Sequence, residues 1–238
     1  MYLLNLTMRQ FSDVMDSGRV DTVLIPIGML EAHGEHCALG TDTLIPREFV
    51  RRLEQAVGDR IVMAPEVPYG HSFALAPFPG TVDVTAEAFS NYVLSIGRQL
   101  LQQGFRRIVL FNGHGGNMPA LATVSEQLAD AGAVVLTINW WADYRDLIVQ
   151  HAQATGHAGE DETSCVLAID EKLVQMEYAH DHVNTLSGKL KAKDIGRRIY
   201  PYANNGDATK ATVEKGLAIY ESLIPAILAD LQQLWDFE

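Results

Sequence analysis

Short runs of β-branched and apolar residues alternate along this chain with longer stretches whose apolar residues recur at helical spacing. That alternation limits the possible folds more than any other feature. Val23-Leu24-Ile25-Pro26-Ile27 reads as a buried strand, and Asp42 to Ala56 as a helix with Leu44, Phe49, Val50 and Leu53 on its apolar face. Ile61 to Val67 is a second extended segment, bent by Pro65 and Pro68. Thr85 to Gln103 is a long helix with Phe89, Val93, Ile96 and Leu100 at helical spacing, and Gly104 ends it. Arg107 to Phe111 and Ala133 to Ile138 are strands; between them Asn117 to Ala131 is a helix closed by Gly132. Helical patterns follow over Glu162 to Ala168 and Ala211 to Leu234. This order predicts an α/β fold of three layers, with a mostly parallel central sheet and helices on both faces. No repeat, low-complexity tract or Pro/Gly/Ser-rich linker interrupts it, so residues 1–238 read as a single domain. In such folds ligands bind beyond the carboxyl ends of the strands. The residues after Ile27, Phe111 and Ile138 are therefore the ones to inspect.

Composition narrows the partners. A chain of 238 residues buries roughly 70% of its unfolded surface and needs no disulfide or structural metal to fold. Any metal is then there for chemistry. The net charge of −12 repels phosphate backbones and argues against a nucleic-acid partner. Lys189, Lys191, Lys193, Arg197 and Arg198 read as a solvated face. No apolar run approaches the about 18 residues that span a membrane, and Met1 to Met8 lacks the pattern of a secretory signal. Cys37 and Cys165 have no CxxC spacing and read as reduced thiols. A cytoplasmic protein is expected.

The three strand ends carry the chemistry. After the first comes Gly28-Met29-Leu30-Glu31-Ala32-His33-Gly34-Glu35-His36, with Asp42 shortly beyond. Asn112-Gly113-His114-Gly115-Gly116-Asn117 follows a later strand. Trp140-Trp141 and then His157-Ala158-Gly159-Glu160-Asp161-Glu162-Thr163-Ser164 follow the last. Histidine with carboxylates is the ligand set for Zn, Fe(II) or Mn. Glu31 and His33, two apart on an extended loop, point to the same side. Asp42 either caps the next helix or reaches back to a metal. Glu35 and His36 lie behind the ligands or toward solvent. The Gly113-His114-Gly115-Gly116 turn alone is a weak phosphate cradle, since no GK[ST] follows. His71, His151, His180 and His182 read as hydrogen-bonded structural residues. Trp140-Trp141 is read as subunit packing, with a wall over a flat substrate as the alternative.

Taken together, these segments resemble the creatininase (creatinine amidohydrolase) family. The match runs through Pro26 to His36 with Asp42, Phe78-Pro79-Gly80-Thr81, Asn112 to Asn117, His157 to Ser164, and Gly206-Asp207 leading into Ala208-Thr209-Lys210-Ala211-Thr212. The resemblance implies a Rossmann-like layered fold, a two-metal site at the strand ends and a homo-oligomer, a hexamer by family pattern. By position, Glu31 and His114 would hold one divalent metal and His33 the other, with Asp42 bridging. His157 matches a proton-relaying histidine, oriented by Glu160 or Glu162. Creatininase has a Tyr-Glu pair where this chain has Gly115-Gly116, which points away from creatinine itself. Glu162 is then the replacement ligand, with Glu160 second.

The expected function is metal-dependent hydrolysis of a C–N bond in a small amide, formamide or lactam, by attack of a metal-activated water. Members of the family also act on N-formylated pyrimidine intermediates and on peptide precursors of a redox cofactor. Two other readings stay open: opening of a cyclic ketone by C–C cleavage on the same site, and a non-catalytic metal-binding scaffold. An anionic substrate is compatible with the acidic surface, because a two-metal cluster dominates its local field.

Overall fold

The computed structural model describes residues 1–186 and 190–237, so Lys189 of the basic run lies outside the described residues. In chain order the elements are α1 (Met8–Asp16), β1 (Thr22–Ile27), α2 (Thr41–Val57), β2 (Ile61–Met63), α3 (Ala86–Gln102), β3 (Arg107–Asn112), α4 (Met118–Asp130) and β4 (Val134–Asn139). After them come three helices, α5 (Trp140–Asp143), α6 (Arg145–Ile148) and α7 (Glu160–Ile169). The chain continues through β5 (Asp181–His182), α8 (Gly196–Ile199) and β6 (Gly206–Asp207) to α9 (Val213–Asp236).

β1 is buried over its whole length because it lies inside the sheet. It pairs in parallel with β2 on one side and β3 on the other, and β3 pairs in parallel with β4. The order is β2-β1-β3-β4. Successive side chains of a strand face opposite ways. Leu24, Val109, Phe111 and Ile138 therefore enter one core, with Phe49 and Leu53 of α2, Val166 of α7 and Leu223 of α9. Val23, Ile25, Ile108 and Leu110 enter the other, with Phe89 and Val93 of α3 and Leu121 and Val124 of α4. The three layers expected from the sequence are present.

Most boundaries fall within two residues of the expected ones. β2 is the exception: it stops at Met63, and only Val67 bridges back to Ile27. Pro65 has no N–H to donate to a ladder. β4 is a strand as expected, and Val134, Val135, Leu136 and Thr137 are only half-buried because β4 is an edge of the sheet. α1 lies outside the elements expected from apolar periodicity. Its start is set by a capping box in which Thr7 and Gln10 satisfy each other's backbone N–H groups.

This topology places the site. From β1 the chain crosses by α2 on one face of the sheet, and from β3 by α4 on the other. The carboxyl ends of β1 and β3 are adjacent, with Ile27 opposite Asn112. A crevice opens where the crossings diverge. The first turn of α2 is pressed into that crevice. A Cβ on Gly113 would lie 2.0 Å from the Asp42 carbonyl oxygen, so only glycine permits the approach.

Candidate metal centre

Five side chains from four places in the chain meet in the crevice. Glu31 and His33 come from the loop after β1, Asp42 from the first turn of α2, His114 from the turn after β3, and Glu162 from the first turn of α7. The glycine preceding α2 is its N-cap and makes no side-chain cap bond, so Asp42 is free to turn inward. Three acids, Glu160, Asp161 and Glu162, occupy the first turn of α7, where the helix dipole favours negative charge.

The ligand atoms form two triads that share Asp42: Glu31–Asp42–His114 and His33–Asp42–Glu162. His114 Nδ1 is 2.8 Å from Asp42 Oδ2 and 3.2 Å from Glu31 Oε1. His33 Nε2 is 2.9 Å from Asp42 Oδ1 and 3.5 Å from Glu162 Oε2. A third grouping joins Glu31, His33 and His157, with His157 Nδ1 3.5 Å from Glu31 Oε1. Glu31 and His33 are fully buried, and Asp42 is 2% exposed.

The donor set fits divalent cations on two counts. Both carboxylate oxygens of Glu31, and Oδ2 of Asp42, are buried without a hydrogen-bond partner. The 2.8 Å approach of His114 to Asp42 Oδ2 lacks hydrogen-bond geometry, as expected of donors aimed at a common point between them. Buried unsatisfied carboxylate oxygens are costly unless an ion occupies the site. The second count is the histidine tautomers. A carbonyl oxygen only accepts, so each ring nitrogen facing one carries the hydrogen. His114 Nε2 donates to the His71 carbonyl at 3.0 Å, His33 Nδ1 to the Glu31 carbonyl at 3.1 Å, and His157 Nε2 to the Ala32 carbonyl at 2.9 Å. In the neutral ring the other nitrogen keeps its lone pair, and in all three it faces the cluster. Such backbone partners orient metal-ligating histidines. His and carboxylate donors suit Zn, Fe(II) and Mn.

Without cations, protons take their place. Burial works against a charged His33, but the Asp42, Glu162 and Glu31 carboxylates outweigh it and hold its pKa at about 10. His114 is raised in the same way by Glu31 and Asp42 against its burial. Asp42 is buried, yet the two imidazolium rings hold its carboxyl well below the usual range. Glu162 is pushed up by burial. His157 is lowered to about 4, first by burial and then by the charge on His33.

One expected role fails on geometry. Glu160 was placed as the partner of His157 or as a spare ligand. Its carboxylate is instead 3% exposed on the far side of the turn, accepting from Ala154 N and from Lys215 Nζ. Positions two apart in a helix point about 200° apart, so Glu160 and Glu162 cannot both face the cluster. Glu162 does so with Oε2 also accepting from Ala158 N at 2.7 Å. Ala158 takes a left-handed φ of 50° to aim that N–H, a strain on the order of 1–3 kcal/mol.

His36 is buried and bonds Thr163 Oγ1, while Glu35 is exposed and pairs with His180. The His71 ring is hydrogen-bonded as expected, to the Val84 carbonyl at 3.0 Å, while its backbone carbonyl orients His114 and its N–H bonds Asn117. A Cβ on Gly116 would meet that carbonyl at 2.1 Å and His114 Nε2 at 2.5 Å, so a Tyr-Glu pair does not fit this backbone. The tryptophans divide. Trp140 is fully buried against Phe49 in the core of one chain, and Trp141 lines the cavity. Cys37 and Cys165 are both free, as expected. The cavity wall also includes residues that were not anticipated, Phe73, Arg145 and Tyr200 among them, and Lys191, which was expected on a solvated face. None of these belongs to a quoted motif. The cavity above the cluster holds about 490 Å³.

An α/β sandwich with paired His/carboxylate triads at its switch point defines a metal-dependent hydrolase. The sequence model of creatininase, described as creatinine amidohydrolase, matches residues 4–231. The chain belongs to the creatininase family. It is 26% identical to a 3-dehydro-scyllo-inosose hydrolase of Thermotoga maritima, over 94% of this chain and 80% of that protein. It is 32% identical to a mycofactocin precursor peptide peptidase of Mycolicibacterium smegmatis, over 86% of this chain and 82% of that one. Among solved structures, a manganese form of creatininase superposes with a TM-score of 0.84 at 25% identity, covering 98% of this chain and 97% of that one. A creatininase variant of Zn-Zn type matches with a TM-score of 0.83, at the same identity and coverage.

Proposed function

We propose that this enzyme hydrolyses the C–N bond of a small amide, formamide or lactam at a two-metal centre. The observation that carries this reading is the pair of triads sharing Asp42, with each histidine's bare nitrogen turned inward. Glu31, Asp42 and His114 would hold one divalent cation and His33, Asp42 and Glu162 the second. Bound there, the cations acidify a water toward neutral pKa and polarise a carbonyl oxygen. His157, with Nε2–H fixed on Ala32 and Nδ1 open to the cavity, accepts the proton released when water adds to the carbonyl carbon. It then delivers that proton to the leaving nitrogen. Burial of the cluster keeps bulk water from screening these charges.

Elemental analysis of wild type, His114→Ala and His157→Gln, with a panel of lactams, N-formyl compounds and cyclic diketones, tests the assignment. Two equivalents of metal are expected in wild type and fewer in His114→Ala. His157→Gln should keep its metal and lose about a hundredfold or more in turnover. Full metal and full activity in His114→Ala would falsify the site, and metal loss in His157→Gln would make His157 a ligand. Turnover of cyclic diketones alone would favour C–C cleavage, a reading supported by similarity to the inosose hydrolase. Metal without turnover across the panel would restore the scaffold reading.

A single domain over residues 1–238 carries the site in this reading, supported by a family match over 4–231. Cytoplasmic residence rests on the two free cysteines. Among the described residues no helix is long and apolar enough to cross a membrane.

A further inference from the structure

Two cations, Arg145 and Lys191, line the cavity that also holds Glu31, Asp42, His114 and Glu162. Arg145 is the first residue of α6, and Lys191 comes from the segment before α8. Among the described residues neither side chain has a carboxylate within ion-pair distance. Lys191 Nζ stands 6.0 Å from the centroid of the Phe73 ring, which lines the same cavity. Asp161 shares the cavity and feels the charge of Arg145 without forming an ion pair with it; its Oδ1 accepts from the Gly156 N–H. Unpaired surface cations are common, but these two converge from separate elements on a cavity of about 490 Å³. They also do so in a chain whose net charge is −12. A local reversal of sign at a cavity mouth concentrates anions there, and a guanidinium fork matches a carboxylate in two places at once.

We propose that Arg145 and Lys191 form an anion subsite, so that the substrate carries a carboxylate set apart from the bond that is cut. This deepens the amidohydrolase reading and rests on it for the position of the reacting bond. It also separates the substrate from creatinine, which has no carboxylate. Trp141, Phe73 and Tyr200 line the same cavity and supply apolar wall for the body of such a molecule.

The test uses metal-loaded protein and a matched pair, N-formyl-L-phenylalanine and N-formyl-L-phenylalaninamide. Their formamide is the same, and they differ only in the carboxylate. Calorimetric titration gives the affinity of each, and heat that continues after an injection reports turnover and gives KM in its place. The acid should be favoured about tenfold at low salt, the range of one charge-assisted contact. The preference should shrink as salt rises, and should fall to near parity in the double variant Arg145→Gln/Lys191→Gln. Parity in wild type, or failure of the acid to bind, would overturn the subsite. So would a preference that survives in the double variant, since the carboxylate would then be held by the metal centre. Absence of turnover with the preference intact counts against amide hydrolysis alone, and turnover at parity counts against the subsite alone.

Discussion

His33 and His114 decide how the centre fills. In the metal-free protein their rings are cations wedged among Glu31, Asp42 and Glu162. Each must give up its inward proton before it can ligate. Metal uptake near neutral pH is therefore expected to release roughly two protons. Calorimetry in buffers of different ionisation enthalpy measures this number, and a value near zero would contradict the inward-facing cations. The sign of the pH dependence follows. His33 titrates at about 10 in the folded chain against 6.5 ordinarily, so its stabilising contribution is complete below 6.5 and is lost as pH rises through 10. Over the same interval metal affinity should climb, because fewer protons compete. The cluster itself was legible, since Glu31, His33, Asp42, His114 and Glu162 stand in motifs whose order a sequence displays. Glu160 was misread because three consecutive acids leave the choice to tertiary partners, here Lys215, 55 residues away. The carbonyls of Ala32 and His71 that set the tautomers were not legible either, for every residue has a carbonyl and only the fold selects one.

At the scale of elements, the two triads depend on different parts of the molecule. The first is built from the ends of β1 and β3 and the start of α2. The second is completed only by α7, which packs between α2 and α9. Leu223 of α9 is fully buried in that packing. Leu223→Ala should cost about 2–5 kcal/mol in denaturant unfolding. It should also weaken the site containing Glu162 more than the site containing Glu31, read by competition with a chelator. Equal loss at both would show that α7 is held independently of α9. Elements with long apolar periodicity were visible in the sequence. α1 was missed because its signal is a polar capping box, and the half-exposure of β4 because an edge strand and an inner strand share one composition.

Across the whole molecule, the layered architecture was the most legible feature, since alternating strand and helix periods leave few ways to cover a parallel sheet. Assembly was not legible from residues alone. A hexamer is what the family resemblance implies; the structure of one chain offers β4, a half-buried edge strand, and such edges are open to pairing. Sedimentation velocity should give a species of about six chains, and a monomer at micromolar concentration would exclude that assembly.

The arrangement of ligands along the chain has a temporal side. All of Glu31, Asp42 and His114 precede residue 117, while Glu162 comes 48 residues after His114. A ribosome that has released the first of these segments has already made one complete set of donors and two thirds of the other. Cation capture can thus begin on an unfinished chain, and the shared aspartate would be committed to its first ion before the carboxylate that needs the second has been synthesised.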